Sequence, residues 1–189
     1  MPLFYNDQID LHAYNPYERL RVLPRFELTS PALEDGAPLA AAQYGSASGG
    51  QNISPELHWS GFPSGTKSFV VTCYDPDAPT GSGFWHWGVA NIPVSVISLA
   101  ANAGEPESTL IPAGAITLQN DGGRRGFNGC GAPEGTGVHR YIFAVHSLDT
   151  ETLEGVDEST GFTRLGFLLN FNATGRALLT GTGFFGGAA

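Results

Sequence analysis

Hydrophobic and polar positions alternate with a period of two along much of the chain, which is typical of β-strands that have one buried face. This pattern predicts strands over residues 26–30, 37–43, 57–60, 67–74, 85–91, 115–118, 138–148 and 176–182. The clearest is 67–74, because Phe69 and Val71 belong to residue types that strands favour. Residues 94–104 are predicted to form a loop, and 121–137 a long glycine-rich loop. The pattern therefore predicts a mostly-β domain.

One segment, 160–176, has the periodicity of a helix. Its apolar residues recur at intervals of three and four, which brings them to one face of a helix. That face carries Phe162, Leu165, Leu168, Leu169 and Asn172. Two asparagines and a glycine weaken the C-terminal half of the segment. The sequence therefore predicts one late helix followed by the final strand.

Alternation also predicts which side chains share a face of a strand. In 138–148, one face carries His139, Tyr141, Phe143 and Val145, and the other carries Val138, Arg140, Ile142, Ala144 and His146. In 85–91, Trp85 and Trp87 are predicted to share one face and His86 to lie on the other. His86 therefore need not be buried beneath the tryptophans.

Composition and charge narrow the classes of function. The chain has 189 residues and is 41% hydrophobic, which is enough to bury a core without disulfides or metals. Its net charge of −9 argues against nucleic acid and anionic membranes as partners, since both attract clusters of Lys and Arg. No run approaches the ~18 apolar residues of an integral membrane segment. Residues 1–21 lack the basic and apolar regions of a secretion signal.

The two cysteines are typical of a protein from a reducing compartment. Cys73 lies in a predicted buried strand and is expected to act as a small hydrophobe. Cys130 lies in the glycine-rich loop, where it could be exposed. Two cysteines form no disulfide framework, and their spacing is not that of a zinc motif. A cytoplasmic location is the simplest prediction.

The chain is predicted to form one domain with an N-terminal arm. Residues 1–23 show no clear periodicity and include Tyr14, Pro16 and Tyr17. They are expected to pack on the domain or on a partner. Residues 24–189 are the length of a single domain.

The segment Asp75-Pro76-Asp77-Ala78-Pro79 ends the strongest strand with two carboxylates. It can be an acidic turn, because Asp side chains bond to nearby amides and proline fixes the backbone. Proline also holds the residue before it in an extended conformation, so the Asp75 carboxylate can project from the strand end. One acid is then expected to orient a histidine while the other holds the turn.

Two histidines and a tyrosine add to this candidate site. A carboxylate at Asp75 would favour the protonated form of His86. His139 and Tyr141 share a face at the start of their strand, directly after Gly135 and Gly137. Imidazole, hydroxyl and glycine backbone groups suit an anionic oxygen ligand such as phosphate or carboxylate.

Other interpretations of the same residues stay open. His86, His139 and Asp75 are the residue types of a two-histidine, one-carboxylate metal site, although no tight ligand spacing supports one. The same cluster could serve a hydrolase, but no G-x-S-x-G motif is present. Cys130 could act as a nucleophile beside His139. A structural protein with a vestigial pocket is the remaining alternative. We expect no cofactor and no metal.

Three motifs in register resemble the phosphatidylethanolamine-binding proteins, and most closely their bacterial Raf-kinase-inhibitor-like branch. These motifs are Asp75-Pro-Asp-Ala-Pro79, His86-Trp87 followed by Asn91-Ile92-Pro93, and Gly137-Val-His139-Arg140-Tyr141-Ile-Phe143. Their order and spacing agree over about residues 24–183, nearly the whole chain.

The resemblance implies a β-sandwich-like fold of two sheets with a C-terminal helix and a small anion pocket. It implies that the pocket is lined by Asp75, His86, His139 and Tyr141, with the backbone near Gly129 helping to hold the anion. The rim would be shaped by Asp77, Pro79, Cys130 and Pro133. It also implies binding of a phosphate ester or phospholipid head group, a kinase or protease as a modulated partner, and a homodimer. A binding role is favoured over catalysis because no motif positions a nucleophile.

One loop departs from the family pattern. Members usually carry the sequence G-Y-x-G-P-x-P-P, whereas residues 126–133 read Gly-Phe-Asn-Gly-Cys-Gly-Ala-Pro. Cys130 and Ala132 replace two prolines, and Phe127 replaces the tyrosine. The sequence therefore predicts a more flexible loop and a less preorganised rim.

Overall fold

The computed structural model describes residues 15–185 and is built from two antiparallel sheets and one helix. A three-stranded sheet has the order β1-β2-β5, with β1 Glu27–Thr29, β2 Leu57–Ser60 and β5 Ser98–Leu99. A five-stranded sheet has the order β6-β4-β3-β7-β8, with β3 Ser68–Asp75, β4 Phe84–Pro93, β6 Ile116–Thr117, β7 His139–Leu148 and β8 Ala173–Gly183. The prediction of a mostly-β, two-sheet fold with a C-terminal helix is confirmed.

The main hydrophobic core lies between the two sheets. It contains Trp59 from the three-stranded sheet and Phe69, Trp87 and Phe143 from the five-stranded sheet, all nearly inaccessible to solvent. The alternation predicted for β7 is confirmed. Tyr141, Phe143 and Val145 belong to this core, whereas Ile142 and Ala144 belong to a cluster on the other face of the sheet.

Helix α1, Phe162–Asn172, covers that other face. Phe162, Leu165 and Leu169 are buried, as the periodicity predicts. The helix is shorter than 160–176, because Ala173 already has the extended backbone of β8 and pairs with Leu148 of β7. Ladder hydrogen bonds therefore replace the last predicted turn of the helix.

Two short segments differ from the predicted elements. Residues 37–43 form no strand: Pro38 makes an isolated bridge to Thr182, and Ala41–Gln43 is a 3₁₀ helix. Proline has no amide hydrogen to continue a ladder. The predicted loop 94–104 contains β5, which pairs with β2. A strand of two residues is too short to show alternation.

The described part of the N-terminal region packs on the outer face of the five-stranded sheet. Pro16–Arg19 is a 3₁₀ helix, and Tyr17 is buried against Ile142 and Ala144. Residues 1–14 of the predicted arm lie outside the described residues, so the boundary at residue 23 stays a prediction. Between residues 15 and 185, no helix is long and apolar enough to cross a membrane.

Candidate ligand-binding site

A cavity of about 260 Å³ lies where β3 ends and β7 begins, beside β4 and the loop that precedes β7. Seven of the nine residues predicted for the site line it: Asp75, Pro79, His86, Gly129, Pro133, His139 and Tyr141. Asp77 and Cys130 do not line it.

Asp75 carries out both of the tasks that the sequence divided between two acids. Its Oδ2 lies 2.7 Å from Nδ1 of His139. Its Oδ1 accepts hydrogen bonds from the amides of Asp77 at 2.8 Å and Ala78 at 3.0 Å. Asp75 and His139 are both almost fully buried. Asp75 therefore holds the turn and fixes the imidazole of His139 at the same time.

Thr136 fixes the other side of His139. The Nε2 atom of His139 lies 2.8 Å from the Thr136 hydroxyl, which in turn donates to the carbonyl of Pro133 at 2.7 Å. Both ring nitrogens of His139 are thus occupied by protein groups, and the ring forms a fixed wall of the cavity. Sequence reasoning missed Thr136, although it is the one hydroxyl residue between Gly135 and Gly137.

A β-bulge turns His86 toward the cavity. Cys73 of β3 pairs with Trp87 and Tyr74 pairs with Trp85, so His86 has no partner in the register. The extra residue reverses the alternation. Trp87 therefore packs in the core between the sheets, whereas Trp85 packs on the helix side. The prediction that the two tryptophans share a face is wrong.

His86 lines the cavity, and one of its ring nitrogens has no hydrogen-bond partner among residues 15–185. Its Nδ1 lies 2.7 Å from the Asn128 carbonyl, which can only accept, so Nδ1 carries a proton and Nε2 is the second nitrogen. Burial lowers the pKa of His86 from its ordinary value, against the opposing effects of the Asn128 carbonyl and the Asp75 carboxylate. Asp75 therefore favours the protonated form of His86, as expected, but burial outweighs this effect, and the Asp75 carboxylate bonds directly to His139 rather than to His86.

Tyr141 supplies a hydroxyl next to His86. The two rings meet edge to face with centroids 5.1 Å apart. Burial raises the pKa of Tyr141, so the hydroxyl keeps its proton. The hydroxyl oxygen accepts a hydrogen bond from the amide of Gly131 at 3.2 Å. This contact orients the O–H group, which can donate to an oxygen atom of a ligand.

The loop that departs from the family pattern is anchored by its backbone. Every amide from 127 to 131 donates a hydrogen bond within the protein, to Gly104, His86, Asn52, Gln43 and Tyr141 in that order. The Gly129 amide is occupied by Asn52 at 2.6 Å. Gly129 therefore contributes close backbone packing, since a Cβ there would overlap the backbone at Tyr44 and Gly45. The loop that was predicted to be more flexible is tied by these bonds to four other parts of the chain, at residues 43–52, 86, 104 and 141.

Asp77 pairs with Arg140 on the side of the turn away from the cavity. Its carboxylate accepts from the amide of Arg140 at 2.9 Å and from Nε and Nη2 at 2.7 Å each. Both side chains are 7% exposed. Asp77 therefore binds the turn to β7, which is a structural task.

Neither cysteine is placed for nucleophilic chemistry. Cys130 is fully buried, contrary to the expectation that it could be exposed, and Cys73 is buried as predicted. Burial raises the pKa of both thiols, which disfavours the reactive thiolate. Among residues 15–185, no group of three or more His, Cys, Asp and Glu side chains could hold a metal ion. The Asp75 carboxylate is already engaged by His139 and two amides.

Sequence comparison identifies bacterial relatives. The UPF0098 protein YbcL of Escherichia coli K12 is 45% identical over 157 residues, or 82% of this chain and 85% of YbcL. YbhB of the same organism is 44% identical over 156 residues, or 82% of this chain and 97% of YbhB. LppC of Mycobacterium tuberculosis, which bears a lipoprotein name, is 34% identical over 155 residues, or 82% of this chain and 70% of LppC.

The fold and the family model agree with these relatives. The crystal structure of YbcL, described as a new member of the mammalian PEBP family, matches with a TM-score of 0.79 at 44% identity, covering 84% of this chain and 97% of YbcL. The family model for phosphatidylethanolamine-binding protein matches residues 29–185. The chain belongs to the phosphatidylethanolamine-binding protein family.

Proposed function

We propose that the protein binds small phosphate-bearing ligands, either free phosphate esters or phospholipid head groups, in the cavity beside β7. The observation that supports this most directly is that His86, whose Nδ1 bonds to the Asn128 carbonyl, and the hydroxyl-bearing Tyr141 line the same small cavity. The Asp75–His139 pair and the anchored loop hold the surrounding wall rigid. The site thus has an oriented set of ligand contacts without an activated nucleophile.

Anion binding at this site requires a proton. The neutral form of His86 offers only a lone pair at Nε2, which repels an anionic oxygen. A protonated His86 would instead donate to that oxygen, alongside the hydroxyl of Tyr141. The buried Asp75–His139 pair supplies no free donor, because both imidazole nitrogens are occupied. The ligand is therefore expected to bind together with one proton taken up by His86.

Calorimetric titration of the full chain with O-phosphoethanolamine and inorganic phosphate tests the proposal. His86→Ala and Tyr141→Phe each remove one hydrogen bond to a charged oxygen, worth about 1.5–3 kcal/mol, so each should weaken binding at least about tenfold. His58→Ala is the matched control, because His58 is exposed and bonds to Glu56. Wild-type affinity in both site variants, or no binding by the wild type, would refute the proposal.

The source of the ligand is distinguished by a second arm. Two ligands are tested separately: vesicles that contain phosphatidylethanolamine, and the free head group. Each is titrated into the wild type and into His86→Ala. Binding of both, lost in the variant, supports recognition of the head group. Binding of the free ester alone supports a soluble ligand. Release of phosphate from either compound, lost in His86→Ala, would overturn the non-catalytic role.

We further infer, from the family resemblance, a protein partner such as a kinase or protease and a homodimeric state. A partner should bind with an affinity that changes when O-phosphoethanolamine fills the cavity, as measured by surface plasmon resonance. Sedimentation equilibrium tests the dimer. The cytoplasmic location stays a prediction, and the lipoprotein name of LppC makes cell fractionation the relevant measurement.

A further inference from the structure

A second cavity of about 260 Å³ lies on the opposite face of the five-stranded sheet, between α1 and the 3₁₀ helix at Pro16–Arg19. Its walls are apolar and include Trp85 of β4 and Phe162, Leu165 and Leu169 of α1. Exposed residues, among them Leu20, Ser82 and Thr163, mark its mouth. The proposed phosphate site lies on the other face of the sheet and shares no lining residue with it.

Four buried polar side chains form the inner end of this second cavity. Tyr17, Thr72, His146 and Arg176 are 8%, 1%, 3% and 7% exposed, and all four line the cavity. Four of their buried polar atoms lie here: His146 Nδ1 and Arg176 Nη2 have no hydrogen-bond partner among residues 15–185, whereas the hydroxyls of Tyr17 and Thr72 interact with each other. Buried polar atoms normally have partners, so two unpartnered ones at the end of one cavity indicate a binding site.

The geometry identifies two of these atoms as hydrogen-bond donors. The Nε of Arg176 donates to Nε2 of His146 at 3.0 Å, so Nε2 of the imidazole is an acceptor. Burial, with a contribution from Arg176, lowers the pKa of His146 to about 3, so the ring is neutral and its proton lies on Nδ1. His146 Nδ1–H and Arg176 Nη2–H therefore both seek an acceptor.

The inner end of the cavity also carries unbalanced positive charge. No carboxylate pairs with Arg176 among the described residues, and its guanidinium lies 5.3 Å from the centre of the Tyr17 ring. Burial lowers the pKa of Arg176, and the nearby Arg25 and Arg21 lower it further. A buried cation without a counterion is costly, whereas an anion at this point would satisfy both its charge and its free N–H group.

We propose that this second cavity binds a small organic monocarboxylate. The carboxylate accepts hydrogen bonds from Arg176 Nη2 and His146 Nδ1, and an aliphatic or aromatic body fills the space between Trp85 and Leu169. The volume, just below the range of drug-sized sites, fits a body the size of a benzene ring or a short alkyl chain. Two donors and one cation match a monocarboxylate, whereas a phosphate dianion would be left short of donors among the apolar walls.

Titration of the wild-type full chain with four compounds measures how much the charge and the apolar body of the ligand each contribute to affinity. Benzoate and hexanoate are the probes, benzamide keeps the ring without the charge, and acetate keeps the charge without the body. Both probes should bind at least tenfold more tightly than benzamide and acetate. Equal affinity for benzoate and benzamide, or no saturable binding of either probe, would overturn the proposal.

Arg176→Met removes the cation while keeping the length of the side chain. It should weaken benzoate binding at least tenfold, and the melting temperature of the free variant checks that it remains folded, since the change also removes the hydrogen bond from Arg176 Nε to His146. Arg25→Met is the matched control, since Arg25 is exposed and does not line the cavity, and it should change benzoate affinity less than threefold. Unchanged benzoate affinity in Arg176→Met would refute the assignment.

A carboxylate of the chain itself is the competing occupant. Residues 1–14 lie outside the described part and include Asp7 and Asp10. The full-length variant Asp7→Asn/Asp10→Asn should bind benzoate as the wild type does. A tenfold gain in benzoate affinity would show that the chain's own carboxylate holds the site, and the proposal would then fail.

Discussion

Asp77 is predicted to stabilise the protein without contacting the ligand. Asp77→Ala removes the acceptor of three hydrogen bonds from Arg140, at 2.9, 2.7 and 2.7 Å, and leaves a guanidinium that is 7% exposed. Each bond to a charged group contributes about 1.5–3 kcal/mol, but the three are not additive because they share one carboxylate. Breaking a buried ion pair costs about 3–5 kcal/mol, and we expect the free energy of unfolding of Asp77→Ala to fall by an amount in that range.

Urea unfolding followed by tryptophan fluorescence measures this loss. Glu158→Ala is the matched control, because its partner Arg125 lies 2.5 Å away but the two side chains are 50% and 64% exposed. An exposed pair contributes about 0.2–1 kcal/mol, so the control should change little. The double variant Asp77→Ala/Arg140→Met should recover much of the loss, because the buried guanidinium is removed together with the carboxylate.

Two results would refute this reasoning about Asp77. An equal loss of unfolding free energy in Asp77→Ala and Glu158→Ala would show that burial does not determine how much an ion pair stabilises the protein. Loss of O-phosphoethanolamine binding in Asp77→Ala with unchanged stability would show that Asp77 is a ligand contact, as the family resemblance implied for the pocket rim. Asp75→Asn serves as the comparison, because Asp75, unlike Asp77, lines the cavity and bonds to His139.

Three further predictions concern the loop, the aromatic stack and the proton. Gly129→Ala should cost about 1–3 kcal/mol in urea unfolding, because its Cβ would overlap neighbouring backbone, whereas Gly131→Ala meets only Ser48 Oγ at 3.3 Å and should cost less. Trp85→Ala should cost about 3 kcal/mol in thermal unfolding, since its ring stacks on a phenylalanine of α1 at 4.9 Å and 3°; a loss below about 1 kcal/mol would contradict this packing role. Because burial lowers the pKa of His86 and anion binding must raise it, sulfate affinity should rise up to about tenfold per pH unit as the pH falls from 7 toward the lowered pKa. A flat profile in calorimetry, or the same slope in His86→Gln, would contradict proton uptake by His86.

The elements that could be predicted from the sequence are those whose residue pattern repeats along one continuous segment. β7 pairs with β8 without a register shift from His139 to Ser147, so the shared face of His139 and Tyr141 follows from the strand period of two. Asp75 is the last residue of a strand of β-favouring residues, so its carboxylate lies at the end of that strand. These side chains meet in one cavity because β3 and β7 are antiparallel neighbours. The family resemblance implied the shared pocket but not this strand pairing.

Contacts between distant segments were beyond the local pattern. Cys130 is buried because its amide donates to Gln43 and its carbonyl accepts from Gly45, and nothing near Cys130 in the sequence indicates these partners. Asn52 likewise occupies the Gly129 amide from another part of the chain. A flexible loop was inferred from the missing prolines, but one of the anchoring hydrogen bonds, from the Cys130 amide to Gln43, is one that a proline could not donate.

The position of His86 depends on the register of the sheet rather than on residue type. In a regular strand Trp85 and Trp87 would share a face and His86 would point toward α1. The extra residue at His86 instead sends Trp85 onto Phe162 and Trp87 toward Phe127, and it turns His86 to Tyr141. The same bulge thus completes both cavities, since Trp85 walls one and His86 the other. Both proposed binding sites therefore depend on the register of β4.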